Sequence, residues 1–158
     1  MLALFRPFKI GDEVNIAGER GVVLDCGLFR TKMKTRDNIV ISVSNGDVFG
    51  NTIKNFNHDG KLRLDTDIGV SYDADLDKSI DTILKAVSGD ERIYKDPAPW
   101  AKVTTLGDSA VTIQLRVWTD AEDHRGVKMD ISQPIKQALD KAGIEIPYEH
   151  AMIIFKEA

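Results

Sequence analysis

The chain has 158 residues, of which 42% are hydrophobic and 29% are charged, as in globular proteins and unlike disordered or collagen-like ones. Its net charge of −4 does not by itself indicate nucleic acid, and no run approaches the roughly 18 apolar residues of a membrane-spanning helix. The single cysteine, Cys26, excludes an internal disulfide framework and favours a reducing compartment.

The first part of the chain has the pattern of a small β barrel. A short apolar run, too short for a secretory signal, precedes Arg6 and Pro7. From Gly11 to Phe56, short strands alternate with glycine-containing turns, which predicts five strands. A turn is expected at Ser44, Asn45 and Gly46, after the strand NIVISV.

One predicted strand, FRTKMKTR, carries a row of basic side chains. A strand would place four of them on one face, namely Arg30, Lys32, Lys34 and Arg36. The other face would then carry Phe29, Thr31, Met33 and Thr35. The row is either a solvated face or a contact for anions, whether lipid head groups, permeating ions or nucleic-acid phosphates.

A second unit follows the polar, turn-rich stretch at 55–61. Residues 1–57 carry eight Lys/Arg and six Asp/Glu, whereas residues 58–158 carry thirteen and nineteen, so the two parts differ in charge. LRLDTDIGVSY alternates as a strand does, and LDKSIDTILKAV has an apolar helical face. Asp73, Asp75 and Asp77 resemble the start of a calcium loop, but Lys78 and Leu84 occupy its glycine and glutamate positions, so a helix N-cap is expected instead.

The rest of the second unit completes a β, α, β, β, α, β order. AKVTTLGDSAVTIQLRVWTD predicts a hairpin that turns at Gly107 and Asp108. A second helix is expected to end at Gly143 and either to hold Pro134 in its first turn or to be kinked by it. The order matches a ferredoxin-like unit, so the predicted fold class is α+β.

The chain ends with an unbroken apolar run at Met152, Ile153, Ile154 and Phe155. Left uncovered, such a strand would be an aggregation-prone edge, so it needs a partner.

The sequence offers no catalytic, cofactor or metal site. There is no GxGxxG, phosphate loop or GxSxG. The three histidines, His58, His124 and His150, lie beside neither one another nor Cys26. No enzymatic activity is expected.

Several segments, taken together, resemble one family. FRPFKIGDEV, TRDN, SNGDVFGN, GVSYDADLDK, LRVW and AGIEIPY are similar, in order and spacing, to the cytosolic part of the bacterial mechanosensitive channel of small conductance. The resemblance extends from about Leu2 to Phe155. It departs from the family where Ser44 precedes Asn45 and where Glu149 and His150 follow Tyr148.

The resemblance implies four segments. Residues 1–7 would be the end of a pore-lining transmembrane helix, represented by Leu2, Ala3, Leu4 and Phe5. Residues 8–57 would form a Sm-like β barrel domain and residues 58–150 the ferredoxin-like α/β domain. Residues 151–158 would supply the strand, Met152 to Phe155, that joins a parallel barrel between subunits of a homoheptamer.

The implied function is that of a cytosolic vestibule, or cage, of a channel in the inner (plasma) membrane that releases ions and small solutes on osmotic down-shock. Solutes would enter through lateral portals, with no nucleic acid involved. Asn45 and Gly46 would form the loop beneath the pore helix that couples the cage to the gate. The basic row Arg30 to Arg36 would contact anionic lipid or permeating ions.

Two other classes remain open from the residues alone. A soluble scaffold built from the same two domains explains the fold but leaves the apolar start unexplained. An RNA-binding module would present stacking aromatic residues on its sheet, and the predicted central strand VTIQLRVW has only Trp118 near its end.

Overall fold

The computed structural model describes residues 7–148. The chain divides between Lys61 and Leu62 into two compact units, each with its own apolar core. We call them unit 1 and unit 2. The secondary structure is mixed, with both strands and helices, which confirms the α+β class.

Unit 1 is an antiparallel sheet with one short helix. Its elements are β1 (Glu13–Ile16), β2 (Glu19–Cys26), β3 (Arg30–Lys34), β4 (Val40–Ser44), α1 (Asn45–Gly50) and β5 (Ile53–Asn55). The strand order is β4-β3-β2-β1-β5. All five predicted strands are present, but within the described residues β4 and β5 are opposite edges of an open sheet. The expected closure into a barrel is therefore wrong. The helix α1 occupies the connection between β4 and β5, and β5 has only three residues.

The core of unit 1 follows from strand alternation. Burial alternates along β1 and β3 and at Gly21 and Val23 of β2, and Phe8 and α1 contribute to the same core. The buried apolar residues are Phe8, Val14, Ile16, Val23, Met33, Val43 and Val48. β2 approaches β3 so closely that a Cβ at Gly21 would lie 2.8 Å from the Lys34 carbonyl oxygen. Glycine is the residue that permits this spacing.

Unit 2 has the strand and helix order of a ferredoxin-like unit as far as the structure describes it. Its elements are β6 (Lys61–Val70), α2 (Leu76–Val87), β7 (Trp100–Leu106), β8 (Val111–Asp120), α3 (His124–Asp130) and α4 (Ser132–Lys141). The sheet order is β6-β8-β7. The strand expected at Met152 to Phe155 lies outside the described residues.

The core of unit 2 lies between this sheet and its helices. The inward face of β8 is fully buried, and the predicted helical faces pack on it; the central members are Val111, Ile113, Leu115, Val117, Ile83, Val87, Ile135 and Leu139. The β7–β8 turn at Gly107 and Asp108 is confirmed. The burial of every second residue of β8 makes it the central element of the unit.

The ends of the helices agree with the sequence signals. The Asp75 carboxylate accepts a hydrogen bond from the Lys78 amide at 3.0 Å, which confirms Asp75 as the N-cap of α2. Gly143 has a φ of 72° just after α4, the left-handed conformation that glycine adopts at helix ends. Pro134 lies in the first turn of α4, where its missing amide donor costs no helical hydrogen bond.

Candidate functional site

The basic residues of β3 form an exposed row. Arg30, Lys32 and Lys34 are exposed, whereas Thr31 and Met33 between them are completely buried. The predicted alternation is therefore confirmed over β3. We call Arg30, Lys32 and Lys34 the β3 cation row.

The β3 cation row has one acidic neighbour on the adjoining strands. Lys34 lies between Val22 on β2 and Val40 on β4, both exposed, and Lys32 lies between Asp25 on β2 and Ser42 on β4. In the region from 7 to 148, no carboxylate forms an ion pair with any of the three cations. The outer face of the sheet thus combines three positive charges and the carboxylate of Asp25 with exposed aliphatic side chains.

Arg36 does not belong to this row, contrary to the sequence prediction. It lies beyond the end of β3, and its guanidinium binds both carboxylate oxygens of Glu13 at 2.8 and 2.9 Å. Arg20 also donates to this carboxylate, from its Nε to Oε1 of Glu13 at 3.0 Å. Partial burial favours the neutral acid, but the hydrogen bond from Arg36 and the charge of Arg20 outweigh it, so the pKa of Glu13 lies below its usual range.

The lowered pKa of Glu13 predicts an acid-sensitive contribution to stability. A carboxyl with a lowered folded pKa stabilises the protein above its unfolded pKa, and this contribution is lost as the pH falls through the folded pKa. We expect Glu13→Gln to lower the free energy of unfolding by about 1 kcal/mol at pH 7 and by less at pH 3. Urea unfolding at both pH values measures this, with the exposed Glu19→Gln as the control.

Asn45 and Gly46 begin a helix rather than the predicted turn. Ser44 is the N-cap of α1, and its hydroxyl oxygen accepts a hydrogen bond from the Asp47 amide at 3.1 Å. A Cβ at Gly46 would meet only the Ser44 hydroxyl, at 3.8 Å, and Gly46 is exposed. The spacing Ser44-x-x-Asp47 is a capping signal that the sequence analysis missed.

The Asn45 side chain is buried, and both the nitrogen and the oxygen of its amide form hydrogen bonds. Its amide nitrogen donates to the carbonyl oxygens of Gly27 at 2.9 Å and Leu28 at 2.8 Å. Its amide oxygen accepts from the buried Thr31 hydroxyl at 3.0 Å. Asn45 is only 8% exposed, and its amide positions the neighbouring backbone of unit 1.

The turn between β2 and β3 presents two large apolar side chains to solvent. Leu28 is 90% exposed and Phe29 is 83% exposed. The prediction that Phe29 shares the inner face with Thr31 and Met33 is wrong, because β3 begins only at Arg30. We call Leu28 and Phe29 the β2–β3 tip. Gly27, directly before it, was the available sign of a turn.

The remaining predicted residues lie at the two ends of the chain. Leu2, Ala3, Leu4 and Phe5, and likewise Met152, Ile153, Ile154 and Phe155, fall outside the described residues. In the described part, no helix is both long and apolar enough to cross a membrane. The same part contains no group of three or more His, Cys, Asp or Glu side chains arranged to hold a metal ion.

Two family descriptions match the chain in order. The β-domain of mechanosensitive ion channels matches residues 1–58, and the C-terminal part of the mechanosensitive ion channel MscS matches residues 64–146. The second match alone covers more than half of the chain.

Individual relatives agree with these matches. The small-conductance mechanosensitive channel of Edwardsiella ictaluri is 35% identical over 148 residues, which are 94% of this chain and 52% of the relative. That of Helicobacter pylori is 31% identical over 157 residues, which are 99% of this chain and 57% of the relative. The chain spans about half the length of the curated relatives it matches.

Solved structures have the same fold. The closed-state crystal structure of Helicobacter pylori MscS superimposes with a TM-score of 0.92 at 30% identity, over 99% of this chain and 62% of that one. Wild-type MSL1 of Arabidopsis thaliana gives 0.76 at 15% identity, over 94% of this chain and 54% of that one, and shares the fold alone. From the family matches and its similarity to these relatives, the chain belongs to the MscS family of mechanosensitive ion channels.

Proposed function

We propose that this chain is the cytosolic cage of a tension-gated channel that releases ions and small solutes on osmotic down-shock. The observation that carries the proposal is the paired family match, in which the β-domain precedes the MscS C-terminal part in one chain. The high TM-score against closed-state MscS supports it. In this role the chain has no enzymatic activity and requires no cofactor.

The proposal assigns a place to each part of the chain. Residues 1–7, with Leu2 to Phe5, end the pore-lining helix in the inner membrane, and residues 8–57 follow on the cytoplasmic side. Residues 58–150 form the wall of the cage. Residues 151–158, with Met152 to Phe155, pair with other copies in a parallel barrel. Self-association as a homoheptamer covers these apolar strands, which would otherwise be exposed edges.

A hybrid channel tests this function. The membrane part of the Helicobacter pylori small-conductance channel is joined to residues 1–158 and expressed in cells that lack their own mechanosensitive channels. We expect these cells to survive osmotic down-shock, and native mass spectrometry of the purified hybrid to show seven subunits. Cells that make the hybrid in the membrane but die as vector controls do would contradict the proposal.

The β3 cation row supports a proposal about lipid. Arg30, Lys32 and Lys34 are exposed on one face and form no ion pair within residues 7–148, although Asp25 on β2 is the strand neighbour of Lys32. Anionic head groups attract such residues by about 1 kcal/mol each near the bilayer surface. We infer that the row contacts anionic head groups, and that Arg36, which pairs with Glu13, contributes less.

Neutralisation of the row gives a measurable change. We expect the triple variant Arg30→Gln, Lys32→Gln, Lys34→Gln to bind anionic vesicles roughly a hundredfold more weakly than the wild type at low salt. The matched control removes three exposed cations of unit 2, by Lys85→Gln, Lys95→Gln and Arg125→Gln. Co-sedimentation with phosphatidylserine-containing vesicles measures both. Equal binding by the row variant and the wild type would exclude this contact.

A further inference from the structure

The β2–β3 tip is unusual because its two apolar residues are adjacent and almost completely exposed. Single exposed apolar residues are normal on protein surfaces. Leu28 and Phe29, however, are consecutive and occupy a turn, and little of either side chain is covered by unit 1. Neither side chain is part of the apolar core of this unit.

The backbone of the tip is held firmly. The Gly27 amide donates to the Arg30 carbonyl oxygen at 2.9 Å, which closes the turn. Asn45 donates to the carbonyl oxygens of Gly27, Leu28 and Phe29. Its side-chain amide donates to the first two, and its backbone amide donates to Phe29 at 2.8 Å. Because these bonds already fix the tip, little further backbone entropy is lost when it binds a partner.

The β2–β3 tip is followed directly by the β3 cation row. Arg30, the first member of the β3 cation row, follows Phe29 directly, and Lys32 and Lys34 continue along the same exposed face. An apolar protrusion next to exposed cations that form no ion pair in the described part of the chain matches the interface of an anionic bilayer, where phosphates lie above the acyl chains. This charge complementarity favours lipid as the partner of the tip.

We propose that Leu28 and Phe29 insert into the interfacial zone of an anionic bilayer while the β3 cation row contacts the head groups. Asn45 acts as a positioning residue that presents the tip. The proposal rests on the proposed function, which places unit 1 next to the membrane. It adds an apolar contact, insensitive to salt, to the electrostatic one.

Vesicle binding tests the apolar contact. We expect the double variant Leu28→Ser, Phe29→Ser to bind phosphatidylcholine–phosphatidylserine vesicles about tenfold more weakly than the wild type, with the loss persisting at high salt. The control, Leu106→Ser, removes an apolar residue that is 71% exposed in unit 2 and should change binding less than twofold. Circular dichroism checks that both variants keep the fold.

Fluorescence quenching tests insertion itself. The variant Phe29→Trp adds a third tryptophan to Trp100 and Trp118. The fluorescence contributed by Trp at position 29, obtained by subtracting the wild-type signal, should be quenched by lipids brominated on their acyl chains. Leu106→Trp should show no such quenching. Absence of quenching at position 29, with vesicle binding intact, would overturn insertion and leave only the electrostatic contact.

Two other outcomes would also overturn the proposal. If the double variant binds vesicles as the wild type does but sediments at a different mass, the tip is an interface between copies of the chain. If the wild type does not bind anionic vesicles, both lipid contacts are wrong. The hybrid channel test of the proposed function does not depend on either result, because it measures survival rather than lipid binding.

Discussion

Asn45→Asp is expected to destabilise unit 1 by roughly 3–5 kcal/mol at pH 7, although the two side chains have nearly the same shape. The amide nitrogen of Asn45 donates to the carbonyl oxygens of Gly27 and Leu28. In the variant a carboxylate oxygen would face both acceptors at less than 3 Å. The Thr31 hydroxyl would remain the one side-chain donor to this carboxylate, and a buried charge with so few donors is among the most costly single changes.

The pH dependence of this variant distinguishes charge from shape. Its folded pKa should be raised, because the folded state favours the protonated acid, which can donate to one of the two carbonyls. Stability should therefore fall as the pH rises above the unfolded pKa of about 3.9, and part of the loss should be recovered near pH 3.

Urea unfolding at pH 7 and pH 3 measures the effect. The control is Asn38→Asp, which adds the same charge at an exposed position of the same unit. A variant as stable as the wild type at pH 7 would show that the Asn45 bonds do not hold the β2–β3 tip.

Leu139→Ala is expected to lower the stability of unit 2 by about 2–5 kcal/mol. Leu139 on α4 is completely buried and belongs to the same core as Ile83 on α2 and the inward face of β8. Truncation removes buried methyl groups and leaves a cavity that the surrounding helices fill only partly.

Calorimetry or urea unfolding at pH 7 measures this loss. Leu106→Ala is the control, since Leu106 is exposed and its truncation leaves no cavity. A Leu139→Ala variant within 0.5 kcal/mol of the wild type, a value at the level of ordinary surface changes, would contradict the core assigned to unit 2.

The sequence was most informative where burial repeats with a regular period. Alternation in VTIQLRVW and in RTKMK predicted which residues of β8 and β3 are buried. Helical periodicity predicted the faces of α2 and α4, and Asp75 and Gly143 indicated where they begin and end. Each of these signals is local, so neighbouring residues suffice to interpret it.

The failures concern contacts between distant residues and short elements. The pairing of Arg36 with Glu13 joins positions 23 residues apart, which a periodic pattern does not reveal. Whether the sheet closes depends on whether its two edge strands, β4 and β5, pair with each other, and here α1 lies between these strands in the chain. α1 has only six residues, too few for a periodic signal, and only the Ser44 cap pointed to it.

The candidate site illustrates both cases. Strand alternation predicted the β3 cation row, whereas the exposure of Phe29 follows from the residue at which β3 begins. Strand boundaries are the least certain part of a sequence prediction, and an error of one residue reverses the face on which a side chain lies. The hydrogen bonds from the Asn45 amide to the backbone of Gly27 and Leu28 could not be predicted from the sequence, because these residues are 18 and 17 positions away.

Patch-clamp recording of the hybrid channel tests the central claim most directly. Membrane patches that contain the Helicobacter pylori membrane part joined to residues 1–158 are placed under increasing suction. The account predicts single-channel currents that appear with tension and disappear when the tension is released. Patches that contain the hybrid in normal amounts and stay silent up to rupture would contradict the assignment of this chain as the cage of a mechanosensitive channel.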